Sequence, residues 1–492
     1  MLEREAKLAA GPDFHLPPLD GLIQGARAAP VETVRMETVY YDTPGLRLAR
    51  WGCSLRLREG EGWTLKLPSS SDGAFLSRRE LAFAGEGRRP PEAAVALLLA
   101  YVRHSSLAPV ATLSTLRRRV RLSDAAGSPL AEVVDDEVAV LDGLRVANRF
   151  RQLEVELAAG ASGDLLDPVL ARLHKAGAGS GQALPKHLLA LGRRAMEPPE
   201  VAPVEVTADS TAAQLIAATI ARSVAELLRL DPGVRLNDDP EDVHRARVAL
   251  RSLRSQLRTF TPLLEREWAK SMRDELRWLG AALGAVRDRQ VMRLRLQARA
   301  GELAPEEVLL LNGLSRDLEV ETEEARSRLL LDMRSDRYLV LLDRLVEASV
   351  APRLLPEADQ PAAAVIPALA RADWRRLRLG VRRLPSRPRD SELHRIRILA
   401  KRARYAAEAA APVVGKKAAR FARKAAGLQA GLGEHQDAVD LRRWLRESVE
   451  GRPAFLAGQI YLREGEAARA VRKAWKRKWK RLDRKRLRGW MI

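Results

Sequence analysis

The sequence predicts an α+β protein. Its strand-rich first part closes charged sheet faces into a polar tunnel, and its all-α second part is a duplicated helical bundle. Three observations carry this. Residues 1–196 hold short runs that alternate apolar and charged side chains, the period of a strand. From about Ala208, apolar residues recur at three- and four-residue steps, the period of a helix. Within that second part a motif returns 150 positions later with its spacing intact.

A chain of 492 residues exceeds one hydrophobic core, so two or more domains are expected. The charge divides the same way. Residues 1–200 hold 26 Lys and Arg against 25 Asp and Glu, whereas residues 201–492 hold 59 against 39. The net charge of +21 therefore sits almost wholly in the second part, which implies a polyanionic partner there. No run of 18 apolar residues is present, so no membrane span is expected, and no basic-then-apolar leader marks secretion. The single cysteine, Cys53, excludes a disulfide framework and a Cys-based zinc site and suits a cytoplasmic protein.

The elements follow in order. Glu3, Glu5 and Lys7 share one face of a first strand. Val34, Met36, Thr38 and Tyr40 alternate next. Arg56 and Arg58 stand against Leu55 and Leu57, Arg78 and Glu80 against Leu81 and Phe83, and Arg117, Arg119 and Arg121 against Val120 and Leu122. Glu154 and Glu156 stand against Leu153, Val155 and Leu157. Turn signals separate these runs at 43–45, 60–62 and 124–127, and helical patches lie at 92–102 and 165–176. Closing the sheet with its charged face inward makes a tunnel whose apolar outside the two helices cover. Basic side chains there would grip phosphate oxygens, and carboxylates beside them would hold Mg²⁺ or Mn²⁺.

At these residues the chain resembles a known family. Glu3-Arg4-Glu5-Ala6-Lys7 resembles the ExExK signature of the CYTH domain, in the triphosphate tunnel metalloenzyme superfamily. Tyr40-Tyr41-Asp42-Thr43-Pro44, Gly52 to Arg58, Trp63 to Lys66, Arg78-Arg79-Glu80, Arg117 to Arg119, Glu132 to Asp135 and Glu154-Val155-Glu156 follow in that family's order. A late Lys186 follows Pro185, where the family more often has Ser. The resemblance implies an antiparallel eight-stranded β tunnel over residues 1–197 that binds a triphosphate substrate with divalent metal. It implies metal and water binding by Glu3, Glu5, Asp135, Glu154 and Glu156, with Lys7 beside Glu3 and Glu5 in catalysis. It implies substrate binding by Lys7, Arg56, Arg58, Lys66, Arg78, Glu80, Arg117, Arg119 and Lys186. Family activities include inorganic triphosphatase, thiamine triphosphatase and adenylate cyclase, so a phosphohydrolase is expected.

Pro198, Pro199 and Pro203 mark a linker over 198–207, and helices fill 208–492. There His244-Arg245-Ala246-Arg247-Val248 returns as His394-Arg395-Ile396-Arg397-Ile398, Arg251 as Lys401 and Arg254 as Arg404. Leu283-Gly284 with Asp288 returns as Leu432-Gly433 with Asp437. The repeat predicts two bundles of about four helices, near 208–350 and 390–460. His244, Arg247, Arg251, Arg254 and Arg258 form one stripe at steps of three and four, and His394, Arg397, Lys401 and Arg404 form a second, flanked by Arg402. Arg420 and Lys424 add a further pair. Like charges four apart destabilise a helix, so these stripes point to a bound anion. The motifs resemble the CHAD domain, which implies inorganic polyphosphate binding and recruitment to polyphosphate granules. The tail from Arg463 carries 13 basic and 3 acidic residues on a basic amphipathic helix, with Val471, Trp475, Trp479 and Leu482 packing against the bundle. The expected function is therefore metal-dependent triphosphate hydrolysis joined to polyphosphate binding. A non-catalytic polyphosphate binder is the first rival. A nucleic-acid binder is the second, disfavoured because aromatic residues are only 4% and offer few stacking surfaces.

Overall fold

The computed structural model describes residues 2–22, 25–68, 76–85, 87–158, 160–179, 184–449, 451 and 453–491, without the side chains of 2–4 and 76–78. The chain divides into two compact units, Met1–Glu200 and Val201–Ile492.

The first unit contains β1 (Leu2–Ala10), β2 (Arg27–Ala28), β3 (Glu32–Asp42), β4 (Ser54–Arg58), β5 (Gly62–Pro68), β6 (Leu76–Phe83), β7 (Ala108–Ser123), β8 (Pro129–Asp142) and β9 (Arg145–Leu157). The order β7-β3-β4-β5-β6-β1-β9-β8 is antiparallel throughout, and β8 pairs back onto β7. Eight strands thus close a ring, and β2 adds a short pairing on β7. Closure removes both sheet edges and gives every strand an inside and an outside. Outside, Leu8, Val120, Leu122, Val133, Leu153 and Val155 bury against Leu166, Val169 and Leu173 of α3 (Leu166–Lys175).

Three further helices complete the unit: α1 (Arg47–Arg50), α2 (Glu92–Val102) and α4 (Lys186–Leu191). The Asp42 carboxylate accepts the backbone N–H groups of Thr43, Leu48 and Ala49, at 2.6, 2.9 and 2.9 Å. The Tyr-Tyr-Asp-Thr-Pro segment therefore pins the turn into α1. Trp51 packs on Tyr101 of α2. Ala190 and Leu191 of α4 pack on the inward residues Tyr40, Leu113, Val138, Val140 and Phe150, so α4 plugs one end of the barrel. Residues 198–200 stay with this unit: Arg50 donates to the Pro198 carbonyl, and Trp51 and Arg103 donate to Glu200.

The second unit is helical. Its helices are α5 (Ala212–Leu236), α6 (Pro240–Thr259), α7 (Arg266–Gln297), α8 (Pro305–Arg334), α9 (Asp336–Val350), α10 (Ala362–Arg382), α11 (Asp390–Val414), α12 (Lys416–Ser448), α13 (Ala454–Leu482) and α14 (Lys485–Arg488). Thr211 opens α5 with a capping box to Gln214, and Asp239 caps α6 ahead of Pro240. Neighbour packing in α5–α8 recurs in α10–α13. The copies meet through α5 with α10 and α6 with α11. Ala212 donates to the Gln360 carbonyl and Ala362 to the Ser210 carbonyl, both at 2.9 Å, a reciprocal exchange at the two starts. The second copy thus begins at α10, in the stretch between the two bundles that the repeat predicts. The repeated motif marks α6 and α11 but not the helices before them, and α10 carries no motif repeated in α5. The basic tail helix is the continuation of α13, the fourth helix of the second copy. Trp479 stacks on Trp374 and Trp475 is buried, so the tryptophans pack inward as expected.

Candidate functional site

Inside the barrel lies a cavity of about 590 Å³. Strand register explains its lining. Lys7 pairs with Glu154 and Glu5 with Glu156 across β1 and β9, Lys66 pairs with Glu80 across β5 and β6, and Tyr40 with Arg56 across β3 and β4. Paired residues face the same side, so one inward row recruits the next. Glu5, Lys7, Arg56, Arg58, Lys66, Glu80, Arg117, Arg119, Glu154, Glu156 and Lys186 all reach this cavity. The side chains of Glu3 and Arg78 lie outside the described residues, although their backbones pair.

The charges interlock. The Lys7 ammonium lies 2.5 Å from both Glu5 and Glu154. Lys186 lies 2.8 Å from Asp136 and 2.7 Å from Glu154. Arg117 binds Asp136 through two N–H donors at 2.8 and 2.7 Å. Lys66 meets Glu80 at 2.9 Å, and Arg58 meets Glu61 at 2.6 Å. Burial by itself would push the Lys7 ammonium down, but Glu154 and Glu5 outweigh it and hold it above the ordinary lysine value. Burial likewise opposes the charge on Glu154, yet Lys186, Lys7 and Arg117 hold its carboxyl well below the usual range.

Asp135 differs from the sequence expectation. It pairs across the sheet with Leu153, an outer-core residue, and its buried carboxylate is bound by Arg151 at 2.8 and 2.7 Å. The inward neighbour is Asp136, opposite Arg117 and Gln152. The alternation that places Glu154 and Glu156 inside also selects Asp136, because Val134 pairs with Glu154. Sequence reading also missed Tyr40, Glu61 and His187, which line the cavity; the ring of His187 stacks on Tyr40. His187 follows Lys186 on the plug helix, a placement that no strand pattern reveals.

Glu5, Glu154 and Glu156 offer hard oxygen donors, the chemistry that Mg²⁺ and Mn²⁺ take. Among the described residues no group of three or more His, Cys, Asp or Glu side chains is gathered as a metal site. The donor type fits a divalent cation, and Lys7 stands between two of the donors.

The second unit holds a separate constellation. Packing of α6 on α11 brings the two predicted stripes together. Two adjoining cavities, of about 650 and 300 Å³, share Arg251, Arg254, Arg277, Ile398 and Lys401. The larger adds Arg258 and Arg402, and the smaller adds Arg247, His394 and Arg397. Arg247 pairs with Asp288 at 2.8 Å. Among the described residues Arg251, Arg254, Arg258, Arg397, Lys401 and Arg402 form no ion pair, and the buried Nε atoms of Arg251 and Arg397 have no hydrogen-bond partner. Burial lowers the pKa of Arg251, Arg254 and Arg402, and neighbouring arginines add to it. The repeated Leu-Gly motif takes equivalent places in the two copies: Gly284 lies beside the Arg247 guanidinium and Gly433 beside that of Arg397.

His244, Arg404, Arg420 and Lys424 line neither cavity. His244 sits near Arg287 and Arg247. Arg404 is spent on Glu408 at 2.7 Å and Gln429. Arg420 and Lys424 are exposed on α12. One wall was missed: Lys270, Arg273 and Arg277 of α7 line the larger cavity. Their spacing of three and four repeats that of the α6 stripe and was a usable signal.

A closed tunnel of charged side chains and a duplicated basic helical bundle define a two-module architecture. The CYTH domain family matches residues 1–171 and the CHAD domain family residues 218–446. Two Mycobacterium tuberculosis proteins, "Uncharacterized protein MT2285" (strain CDC 1551 / Oshkosh) and "Uncharacterized protein Rv2226" (strain ATCC 25618 / H37Rv), are each 31% identical over 517 residues, spanning 98% of this chain and 96% of theirs. Among solved structures, "PptA from Streptomyces chartreusis" is 23% identical with a TM-score of 0.46, covering 55% of this chain and 100% of that one. The CHAD domain from the plant Ricinus communis is 25% identical with a TM-score of 0.42, covering 59% and 95%. The chain belongs to the family that joins a CYTH domain to a CHAD domain. CYTH domains generally use divalent metal ions. Among the described residues no helix is long and apolar enough to cross a membrane.

Proposed function

We propose that residues 1–197 hydrolyse inorganic triphosphate or a related triphosphate with Mg²⁺ or Mn²⁺, while residues 208–492, joined through 198–207, bind inorganic polyphosphate in the cytoplasm, at polyphosphate granules. The observation that carries the first half is the single cavity where basic side chains from β4, β5, β7 and α4 converge opposite the carboxylates of β1 and β9.

Phosphoryl transfer to water needs positioning and charge neutralisation more than a covalent nucleophile. Arg56, Arg58, Lys66, Arg117, Arg119 and Lys186 bind phosphate oxygens, the arginines in bidentate fashion. Without substrate these cations rest on Glu80, Glu61, Asp136, Glu154 and, for Arg119, Glu32, so binding exchanges one set of anions for another. Lys7 bridges Glu5 and Glu154 and holds them close together. Glu5, Glu154 and Glu156, with Glu3 from the same strand row, would hold the metal. A bound divalent metal supplies phosphate neutralisation and an activated water. The α4 plug keeps one end of the cavity dry.

The groove reading rests on six cations without ion pairs on facing helices, a costly arrangement until an anion enters. Phosphate release from tripolyphosphate, thiamine triphosphate and ATP, each with Mg²⁺ and Mn²⁺, tests the tunnel. No release from any of them would leave the non-catalytic reading, which the seat of Lys7 between Glu5 and Glu154 favours. Competition tests the groove: polyphosphate should displace RNA far more effectively than RNA displaces polyphosphate.

A further inference from the structure

One cation in the groove differs chemically from the arginines around it, and unlike the exposed Lys270 at the outer wall it is half-buried. Lys401 of α11 opens onto both cavities. From α6, Arg247, Arg251 and Arg254 act on it, and from its own helix Arg397 does. From α7 come Lys270, Arg273 and Arg277, with Asp274 already bound to Arg277 at 2.8 Å. Asp288 of α7 is engaged by Arg247, and Asp373 of α10 by Arg376 and Thr259, whereas Asp437 of α12 lies near Arg397 without an ion pair among the described residues. Two imidazoles stand close, His244 on α6 and His394 on α11, the latter bonded to Gln436 of α12. Lys401 itself makes no ion pair or hydrogen bond among the described residues.

An arginine cannot shed its proton in a protein, whereas a lysine can. The repulsion in this ring therefore has its outlet at Lys401. Burial, then Arg251, Arg397, Arg254 and Arg247, push its ammonium down to about 7.

We propose that polyanion binding in the groove is coupled to uptake of one proton by Lys401, so that the groove releases its ligand as pH rises above neutrality. This rests on the reading of the groove as a polyanion site. In the empty groove at mildly alkaline pH, Lys401 is a neutral amine. An entering anion supplies the missing countercharge, and the amine takes a proton from solvent to become an ammonium against the anion's oxygens. Below neutrality both states are already protonated, and affinity is at its plateau. Above neutrality the complex holds one proton more than the free protein, so affinity falls by up to about tenfold per pH unit.

The test uses the full chain and dextran sulfate, whose sulfate groups do not titrate in this range, with long-chain polyphosphate as a second arm. Calorimetric titration at mildly alkaline pH, in two buffers of different ionisation enthalpy, reads proton uptake directly. The wild type should take up close to one proton. Lys401→Arg should bind without uptake and with affinity flat in pH. Lys401→Gln should bind at the weakened, high-pH level at every pH. Uptake that survives in both variants assigns the proton to His244, His394 or Lys270 and overturns the proposal. Binding by the wild type without uptake overturns it too and leaves the groove intact. No binding of either polymer brings down the groove reading and this proposal with it.

Discussion

Successive strand residues point to opposite faces, so Asp135 and Asp136 carry different work although they are neighbours. Asp136 faces Arg117 and Lys186 inside the tunnel; Asp135 faces Arg151 outside it. Asp136→Asn should weaken triphosphate binding, seen as a raised KM. Asp135→Asn should leave turnover per folded molecule intact but remove one half of a buried ion pair, lowering stability by about 3 kcal/mol in denaturant unfolding. A tunnel that fails in the Asp135 variant and works in the Asp136 variant would reverse the assignment. Glu5→Gln should abolish hydrolysis with the circular dichroism spectrum unchanged, because a carboxylate donor is lost without a change of shape. Turnover retained with metal present would remove Glu5 from the chemistry. The Glu154 carboxyl is held down by Lys186, Lys7 and Arg117 against its burial. Its stabilising contribution is therefore present above the usual carboxylate range and lost as pH falls through its lowered folded value. Thermal unfolding of wild type and Glu154→Gln should accordingly differ at neutral pH and converge in strong acid.

At the scale of elements, strand parity was legible because charge alternates with Leu and Val in each run. The inward rows of β1, β4, β7 and β9 follow from it directly. The single-residue choice between Asp135 and Asp136 did not, because both are acidic and alternation within Val133-Val134-Asp135-Asp136 is broken. The plug helix α4 was not legible as such: its role depends on closure of the barrel, a contact between residues more than a hundred positions apart. In the helical unit the stripes of α6 and α11 were legible from spacing, whereas their meeting, and the wall from α7, depend on packing between copies. The two copies are also unequal. Arg404 is paired with Glu408, while its counterpart Arg254 lines both cavities. Replacing Lys270, Arg273 and Arg277 together with Gln should therefore weaken polyphosphate binding. The same change at Arg420, Arg423 and Lys424 of α12 should matter much less. Equal losses in an affinity measurement would move the binding surface away from the α6–α7–α11 cavities. Gln keeps helix propensity near that of Arg, so fold loss is not expected to blur the comparison.

Across the whole molecule, the two units carry anion chemistry of opposite design. In the tunnel, the cations are matched by carboxylates, so the first unit is near neutral. In the groove, six cations face one another without ion pairs among the described residues, and it is the second unit that carries the net charge. The difference has a measurable consequence in salt. Binding to an uncompensated groove releases counterions from the polymer for each phosphate neutralised, and affinity should fall steeply as salt rises. Replacing Arg247, Arg251 and Arg254 with Gln in the full chain should weaken polyphosphate binding and make that slope shallower, since fewer phosphates are neutralised. Each phosphate contact supplies only part of the affinity, so the triple change is needed for a clear effect. Tripolyphosphate turnover by the same protein should hold, because none of the three residues lines the tunnel. Polyphosphate affinity at several salt concentrations, run beside phosphate release and circular dichroism, reads all three quantities on one sample. Unchanged affinity and slope with helicity intact would make the α6 stripe a solvated face. Loss of turnover alongside binding would show instead that the groove feeds or regulates the tunnel.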